Sequence, residues 1–289
     1  MRDFIPWDSQ PLDVWTDRYA EGKFIELAGR RTHYVERGSR DPVLLIHGFN
    51  IDLNTWTKNI DQLAEEFKVY AIDLWGQGYS TRGLLDYGYD LFVEQVRLFM
   101  DAMGIQRTSL VGHSMGGGTS VVFALRNREM VSKLVLVGST SIPTLLPFRS
   151  KIFRIKGVAE FLMALRSDRV RRMNYEDFWV NDPDSLTEEY YQKFTRYQKV
   201  EGSTEVLLTI LRKDFFNTLE NEVQELGQLE IPTLIVWGRN DKTLPLFCAE
   251  EINRLMPGSI LEILDDAAHL ANFDRPNTFN KLVIDFLSD

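Results

Sequence analysis

Six short, almost unbroken apolar runs limit most strongly what this chain can fold into. They span Pro42–Gly48, Phe67–Leu74, Thr108–Ser114, Lys133–Ser139, Ile231–Arg239 and Ile260–Asp265. Val, Ile and Leu at consecutive positions mean that both faces of each strand are covered, as in a parallel sheet flanked by helices. Two alternating stretches precede them, Lys23–Leu27 and Thr32–Glu36, and the Gly29-Arg30 corner between them reads as a hairpin. Helical periods fall between the runs. Tyr89–Met103 repeats apolar residues at Leu91, Phe92, Val96, Phe99 and Met103, and Ser114–Arg126 and Leu246–Met256 behave alike. Asn54 is expected to cap a helix reaching Glu66, and Asp274-Arg275-Pro276 to open the last one. The expectation is an α/β fold with a mostly parallel, eight-stranded, doubly wound sheet. Its chemistry belongs at the carboxyl ends of the strands.

At 289 residues and 44% hydrophobic content the chain can bury a large core. The strand rhythm stops between Ser139 and Ile231, where only helical periods appear: Ile152–Leu165, Leu186–Tyr197 and Val206–Lys213. Residues 143–215 are therefore read as a helical cap inserted into a core made of 1–142 and 216–289. The cap's charge is uneven. Arg149, Lys151, Arg154, Lys156, Arg166, Arg169, Arg171 and Arg172 crowd one stretch, and Glu176, Asp177, Asp182, Asp184, Glu188 and Glu189 the next. The simpler reading is two solvated faces that pair with each other. The other is a basic amphipathic cap that meets an interface or an anionic substrate.

Composition excludes several functions. A net charge of −9 opposes nucleic-acid binding, which needs a basic face. Cys248 is the single cysteine, and His33, His47, His113 and His269 show no HExxH spacing, so neither metal nor cofactor is expected. The amino terminus has acids and prolines where a signal peptide needs an apolar run, and no stretch approaches a membrane span. A cytoplasmic protein, monomer or homodimer, without stable membrane insertion is the expectation.

The main chemical signal is Gly112-His113-Ser114-Met115-Gly116, between a strand and a helix. A chain of this size shows G-x-S-x-G by chance on the order of one time in ten, so position is the evidence rather than the letters. A strand–turn–helix setting is what a nucleophile elbow requires. The glycines remove side chains that would collide with a serine in so tight a turn. The competing reading is a glycine-rich turn with an incidental serine.

With these residues in place, nearly the whole chain resembles the α/β-hydrolase superfamily. His47-Gly48-Phe49 looks like its oxyanion loop, Asp73-Leu74-Trp75-Gly76-Gln77-Gly78-Tyr79-Ser80 like its D-x-x-G-x-G-x-S loop, Gly238-Arg239-Asn240-Asp241 like its acid-bearing turn and Ala268-His269 like its histidine-bearing turn. The resemblance implies Ser114 as nucleophile, His269 as base and Asp241 as the carboxylate that orients it. It also implies backbone N–H groups of Phe49 and Met115 as oxyanion donors. Asn50 departs from the proline or glycine of several subfamilies. His269 alone among the histidines follows a late strand. His47 is expected to shape its loop, His113 to point away from Ser114, His33 and Asp73 to be structural, Asp265 and Asp266 to form turns, and Cys248 to pack as a small hydrophobe.

A serine at the elbow argues against the aspartate-based epoxide hydrolases and dehalogenases of this fold. The expected activity is hydrolysis of carboxylic esters with small to medium hydrophobic acyl chains through an acyl-enzyme. Ile152, Phe153, Phe161, Leu162, Phe178, Trp179 and Phe148 are candidates for the acyl or alcohol pocket, or for simple packing. The alternatives are a carbon–carbon (diketone) hydrolase or lactonase with the same triad, and a non-enzymatic ligand receptor or scaffold of the same fold.

Overall fold

The structure, a computed structural model, describes residues 4–144, 152–165 and 167–289. The eight strands lie in one sheet: β1 (Lys23–Leu27), β2 (Arg30–Gly38), β3 (Pro42–Ile46), β4 (Lys68–Ile72), β5 (Thr108–His113), β6 (Val131–Val137), β7 (Thr233–Gly238) and β8 (Ile260–Leu264). Their spatial order is β1-β2-β4-β3-β5-β6-β7-β8. β2 runs antiparallel to both β1 and β4, and every other neighbouring pair is parallel. β5 is thus an interior strand between β3 and β6.

The continuous apolar runs conceal a period of two. Leu44, Ile46, Leu110, Leu134, Leu136, Ile235 and Trp237 join the core on one face of the sheet. Val43, Leu45, Val111, Val135, Val137, Leu234 and Val236 join the core on the other. Each large aliphatic or aromatic side chain buried in this way contributes about 1.5–3 kcal/mol, so both faces of the sheet must be covered. The helices Tyr89–Ala102 and Met115–Arg126 pack in the first core and the helix Pro276–Ser288 in the second. Among the described residues no helix is long and apolar enough to cross a membrane.

Two helix starts differ from expectation. Asp52, not Asn54, is the cap: its Oδ1 accepts from Asn54 N at 3.0 Å and opens only a 3₁₀ turn, Leu53–Trp56. The helix then breaks where the Asn59 amide donates to Asn272 O and Asn280 Oδ1, and resumes as Ile60–Leu63. Arg275 rather than Asp274 occupies the cap position of the last helix, and the Asp274 carboxylate is engaged by Ala268 N at 2.8 Å and Asn181 N at 3.0 Å. At the first start one local cap replaces another and a distant bond of Asn59 accompanies the break; at the second, distant donors take the expected cap.

Between β6 and β7 the described residues form the helices Val158–Ala164, Arg169–Asn174, Glu188–Thr195, Ser203–Lys213 and Glu220–Leu226, with a π-helical turn at Tyr175–Trp179. The charges expected to pair do so in part. Arg172 meets Glu188 and, at 3.8 Å, Glu176, whereas Arg154 reaches across to Asp214. Arg171 departs from a solvated face altogether, being buried. Phe148, Arg149, Lys151 and Arg166 lie outside the described residues.

Asp73, after β4, ties the loops above the sheet together. Its carboxylate contacts His33 Nδ1 at 2.7 Å and accepts from Leu53 N at 2.9 Å and Tyr79 N at 2.8 Å. Burial alone would raise its pKa, but His33 reverses this and holds the carboxyl below its ordinary range. Asp73→Ala leaves these buried donors unmet and is expected to cost about 3–5 kcal/mol, read as a lower urea midpoint with an unchanged m-value. A loss below about 1 kcal/mol is incompatible with this role.

Candidate active site

Ser114 closes β5 with φ 51° and ψ −118°, a left-handed conformation that costs a non-glycine residue about 1–3 kcal/mol. The surroundings enforce it. Ser114 N donates to Val137 O at 2.9 Å, and the Ser114 carbonyl accepts from Gly117, Gly118 and Thr140 backbone N–H groups. A Cβ on Gly116 would stand 2.2 Å from Ile46 O, and one on Gly112 2.4 Å from Gly116 O. The helix Met115–Arg126 starts immediately after the serine and directs its free N–H groups toward the hydroxyl's side of the turn.

The turns after β7 and β8 bring Asp241 and His269 to this hydroxyl. His269 Nε2 lies 3.0 Å from Ser114 Oγ, and His269 Nδ1 lies 2.8 Å from Asp241 Oδ2. A carboxylate can only accept, so the imidazole proton sits on Nδ1 and the Nε2 lone pair faces the hydroxyl. Asp241 Oδ1 is held by Thr243 N at 2.8 Å and Leu244 N at 2.9 Å. All three residues are buried, which strengthens each interaction relative to water.

His113 has a role that its expected orientation did not suggest. Its ring turns to the histidine loop, where Nε2–H donates to His269 O at 3.0 Å and the two rings lie 4.8 Å apart. Burial, helped by repulsion from His269, lowers the His113 pKa well below the ordinary range and keeps it a neutral donor. A histidine beside the serine was the only sequence signal for this brace. Asp274 was also missed. Its carboxylate joins Ala268 N, next to His269, to Asn181 N in the segment read as the cap. Leu270 N–H adds a bond to Trp179 O at 2.8 Å.

The oxyanion candidates sit at the same corner. Among the described residues, neither Phe49 N–H nor Met115 N–H donates to a protein acceptor. Asn50 has φ 57° and donates its N–H to Gln77 Oε1 at 2.7 Å. Asparagine tolerates this left-handed region, whereas a proline ring could not adopt it, so the loop here takes a different path from a proline-bearing one. His47 Nε2 accepts from Leu74 N, which leaves Nδ1–H to donate to Gly48 O at 2.7 Å. His33 is engaged by Asp73, and Cys248 is buried, its thiol pushed up to about 12 by that burial. Asp265 and Asp266 pair on the surface with Arg239 and Arg275.

Ser114 and His269 open on a cavity of about 540 Å³. Ile152, Phe153, Leu162, Phe178 and Trp179 line it, but Phe161 is 68% exposed and faces outward. The π-helical turn places Tyr175, Phe178 and Trp179 in the wall. Among the described residues no cluster of three or more His, Cys, Asp or Glu is arranged to hold a metal.

A serine on a strand–turn–helix elbow, a histidine and a carboxylate thus meet at the carboxyl ends of the strands of a doubly wound sheet. A family model described as alpha/beta hydrolase fold matches residues 41–276, and the chain belongs to that family as a hydrolase. It is 30% identical over 270 residues to the dihydrolipoyllysine-residue acetyltransferase component of the acetoin cleaving system of Cupriavidus necator, covering 92% of this chain and 69% of that one. It is 27% identical to the 2-hydroxy-6-oxo-6-(2'-aminophenyl)hexa-2,4-dienoic acid hydrolase of Metapseudomonas resinovorans, over 92% of this chain and 90% of that one. A solved meta-cleavage product hydrolase of Pseudomonas fluorescens IP01 superposes with a TM-score of 0.79 and 26% identity, over 92% of this chain and 97% of that one.

Burial pushes the Asp274 carboxyl up to about 6. Between its unfolded pKa near 4 and that value the native state binds the extra proton, so rising pH works against folding. Asp274→Asn keeps an acceptor oxygen for the two N–H groups without the charge. From about pH 4 to about pH 7 its stability is expected to improve relative to the parent by about 2 kcal/mol, seen in urea midpoints. Parallel pH curves for the two proteins exclude this linkage.

Proposed function

We propose that the protein hydrolyses carboxylic esters with small to medium hydrophobic acyl chains through an acyl-enzyme on Ser114. The observation that carries the reading is the continuous relay from Asp241 through His269 to Ser114 Oγ, opening on a largely apolar cavity. His269 Nε2 takes the hydroxyl proton as Oγ bonds to the ester carbonyl carbon. The carbonyl oxygen gains a negative charge beside the Phe49 and Met115 N–H groups, each such donor being worth about 3 kcal/mol in the transition state. His269 then passes the proton to the departing alcohol oxygen. Water repeats the sequence on the acyl-enzyme and releases the acid.

The helices over residues 143–215 act in this reading as the cap that shapes the acyl pocket and keeps bulk water from it. Asp274 and the Leu270–Trp179 bond hold that cap against the histidine loop. A second reading draws on the relatives. The 2-hydroxy-6-oxo-dienoic acid hydrolase and the meta-cleavage product hydrolase support carbon–carbon cleavage next to a ketone by the same three residues.

A panel of p-nitrophenyl esters of increasing chain length, run beside a 2-hydroxy-6-oxo-dienoate, separates the two. Ester turnover is expected to exceed diketone turnover, and the reverse order replaces the first reading with the second. Ser114→Ala is expected to lower kcat by at least about 10⁴-fold with an unchanged melting temperature. Wild-type rates in that variant exclude the mechanism. A fluorophosphonate that labels Ser114 in a protein giving no multiple turnover points instead to a binding role.

A further inference from the structure

The cavity wall carries a cation that ester hydrolysis does not use. Arg171, from the helix Arg169–Asn174, is 7% exposed and is the only charged arginine, lysine, aspartate or glutamate among the described lining residues. Its Nε donates to Gln198 Oε1 at 2.9 Å and its Nη2 to Met163 O at 3.3 Å, and the guanidinium lies 3.9 Å from the Trp7 ring centre. These partners position the group without neutralising it. Among the described residues no carboxylate comes within 4.0 Å of it; Asp168 attracts it from farther off and stands 4.0 Å from Lys199 instead. Burial pushes Arg171 down to about 10, so it keeps its charge at neutral pH.

A second recess, of about 10 Å³, shares Phe49, Asn50, Arg171 and Gln198 with the cavity wall and is lined also by Gln77. Gln77 Nε2 is buried there without a hydrogen-bond partner, and Gln198 Nε2 faces only the Tyr197 hydroxyl, which lines the same recess and lies outside good hydrogen-bond geometry. Their orientation is set, because Gln77 Oε1 is taken by Asn50 N and Gln198 Oε1 by Arg171 Nε. Asn50 Oδ1 is likewise unpartnered, and turning that amide over adds another N–H. A guanidinium and two fixed amide donors around the space of about one oxygen atom match a carboxylate oxygen, which only accepts. Phe49 and Asn50 border both the recess and the reactive corner, so one extended ligand can reach both.

We infer that this recess receives the carboxylate of an acyl substrate whose second acid group is remote from the bond cleaved. The inference rests on the ester-hydrolase reading for the place of the scissile carbonyl. It makes the preferred substrate a half-ester of a dicarboxylic acid, with the connecting hydrocarbon along Leu162, Met163 and Leu207.

The test compares p-nitrophenyl hydrogen suberate with p-nitrophenyl octanoate, matched in chain length. The wild-type kcat/KM is expected to favour the half-ester by about tenfold or more, carried by KM, as one charge-assisted pair supplies. Arg171→Gln brings the ratio toward one, Gln198→Met lowers it in part, and Arg171→Lys retains some of it. No wild-type preference, or a ratio that survives Arg171→Gln while both rates and the melting temperature fall together, overturns the inference and leaves Arg171 a structural anchor for Trp7. Binding to the Ser114→Ala protein supplies an arm independent of turnover. By calorimetry it is expected to prefer monomethyl suberate over dimethyl suberate about tenfold, and to lose that preference when Arg171→Gln is added. Equal binding of the two sinks the anion recess alone. Preferred binding of the anion by a protein that turns over no ester sinks the ester reading alone.

Discussion

The site depends on the backbone of Ser114 being held in a conformation that serine avoids. Its N–H is taken by β6 and its carbonyl by the start of the following helix and by Thr140, so the turn cannot relax without losing several buried hydrogen bonds. The same turn directs Oγ away from the sheet and toward the histidine loop. The glycines at 112 and 116 let the helix approach β3 and β5 to within backbone contact. Strain at Ser114 is thus balanced by cooperative bonding among elements distant in sequence.

Around this turn the supporting residues are layered by distance. Asp241 orients His269, and the backbone N–H groups of Thr243 and Leu244 orient Asp241. His113 and Asp274 fix the main chain on either side of His269, and Gln77 fixes the loop that presents Phe49 N–H. Asp73 and His33 anchor the loops farther back. Most of these bonds join a side chain to a backbone group, so the loops are set by the sheet rather than by their own composition.

Much of the fold was readable from the chain itself, because both faces of the sheet need covering and the apolar runs say so. The eight strands appear within a few residues of their expected bounds. Asn54 and Asp274 looked like local caps, but Asp52 took the capping position ahead of Asn54, the Asn59 amide donates to distant acceptors, and backbone N–H groups elsewhere claimed Asp274. Phe161 carried the right residue type for a pocket and the wrong position on its helix. Arg171 looked like one more solvated charge until the helix carrying it turned inward.

Sequence alone determined the strand order of business: which runs must be buried, where the tight glycine turn falls, and which serine, acid and histidine follow strands. These are local properties of side-chain volume, periodicity and conformational tolerance. Tertiary structure alone decided the 3.0 Å and 2.8 Å contacts linking Ser114, His269 and Asp241, the volume of the cavity and the burial of Arg171 without a described carboxylate beside it. Those quantities depend on how elements far apart in the chain share one space, and no local pattern of residues encodes a distance.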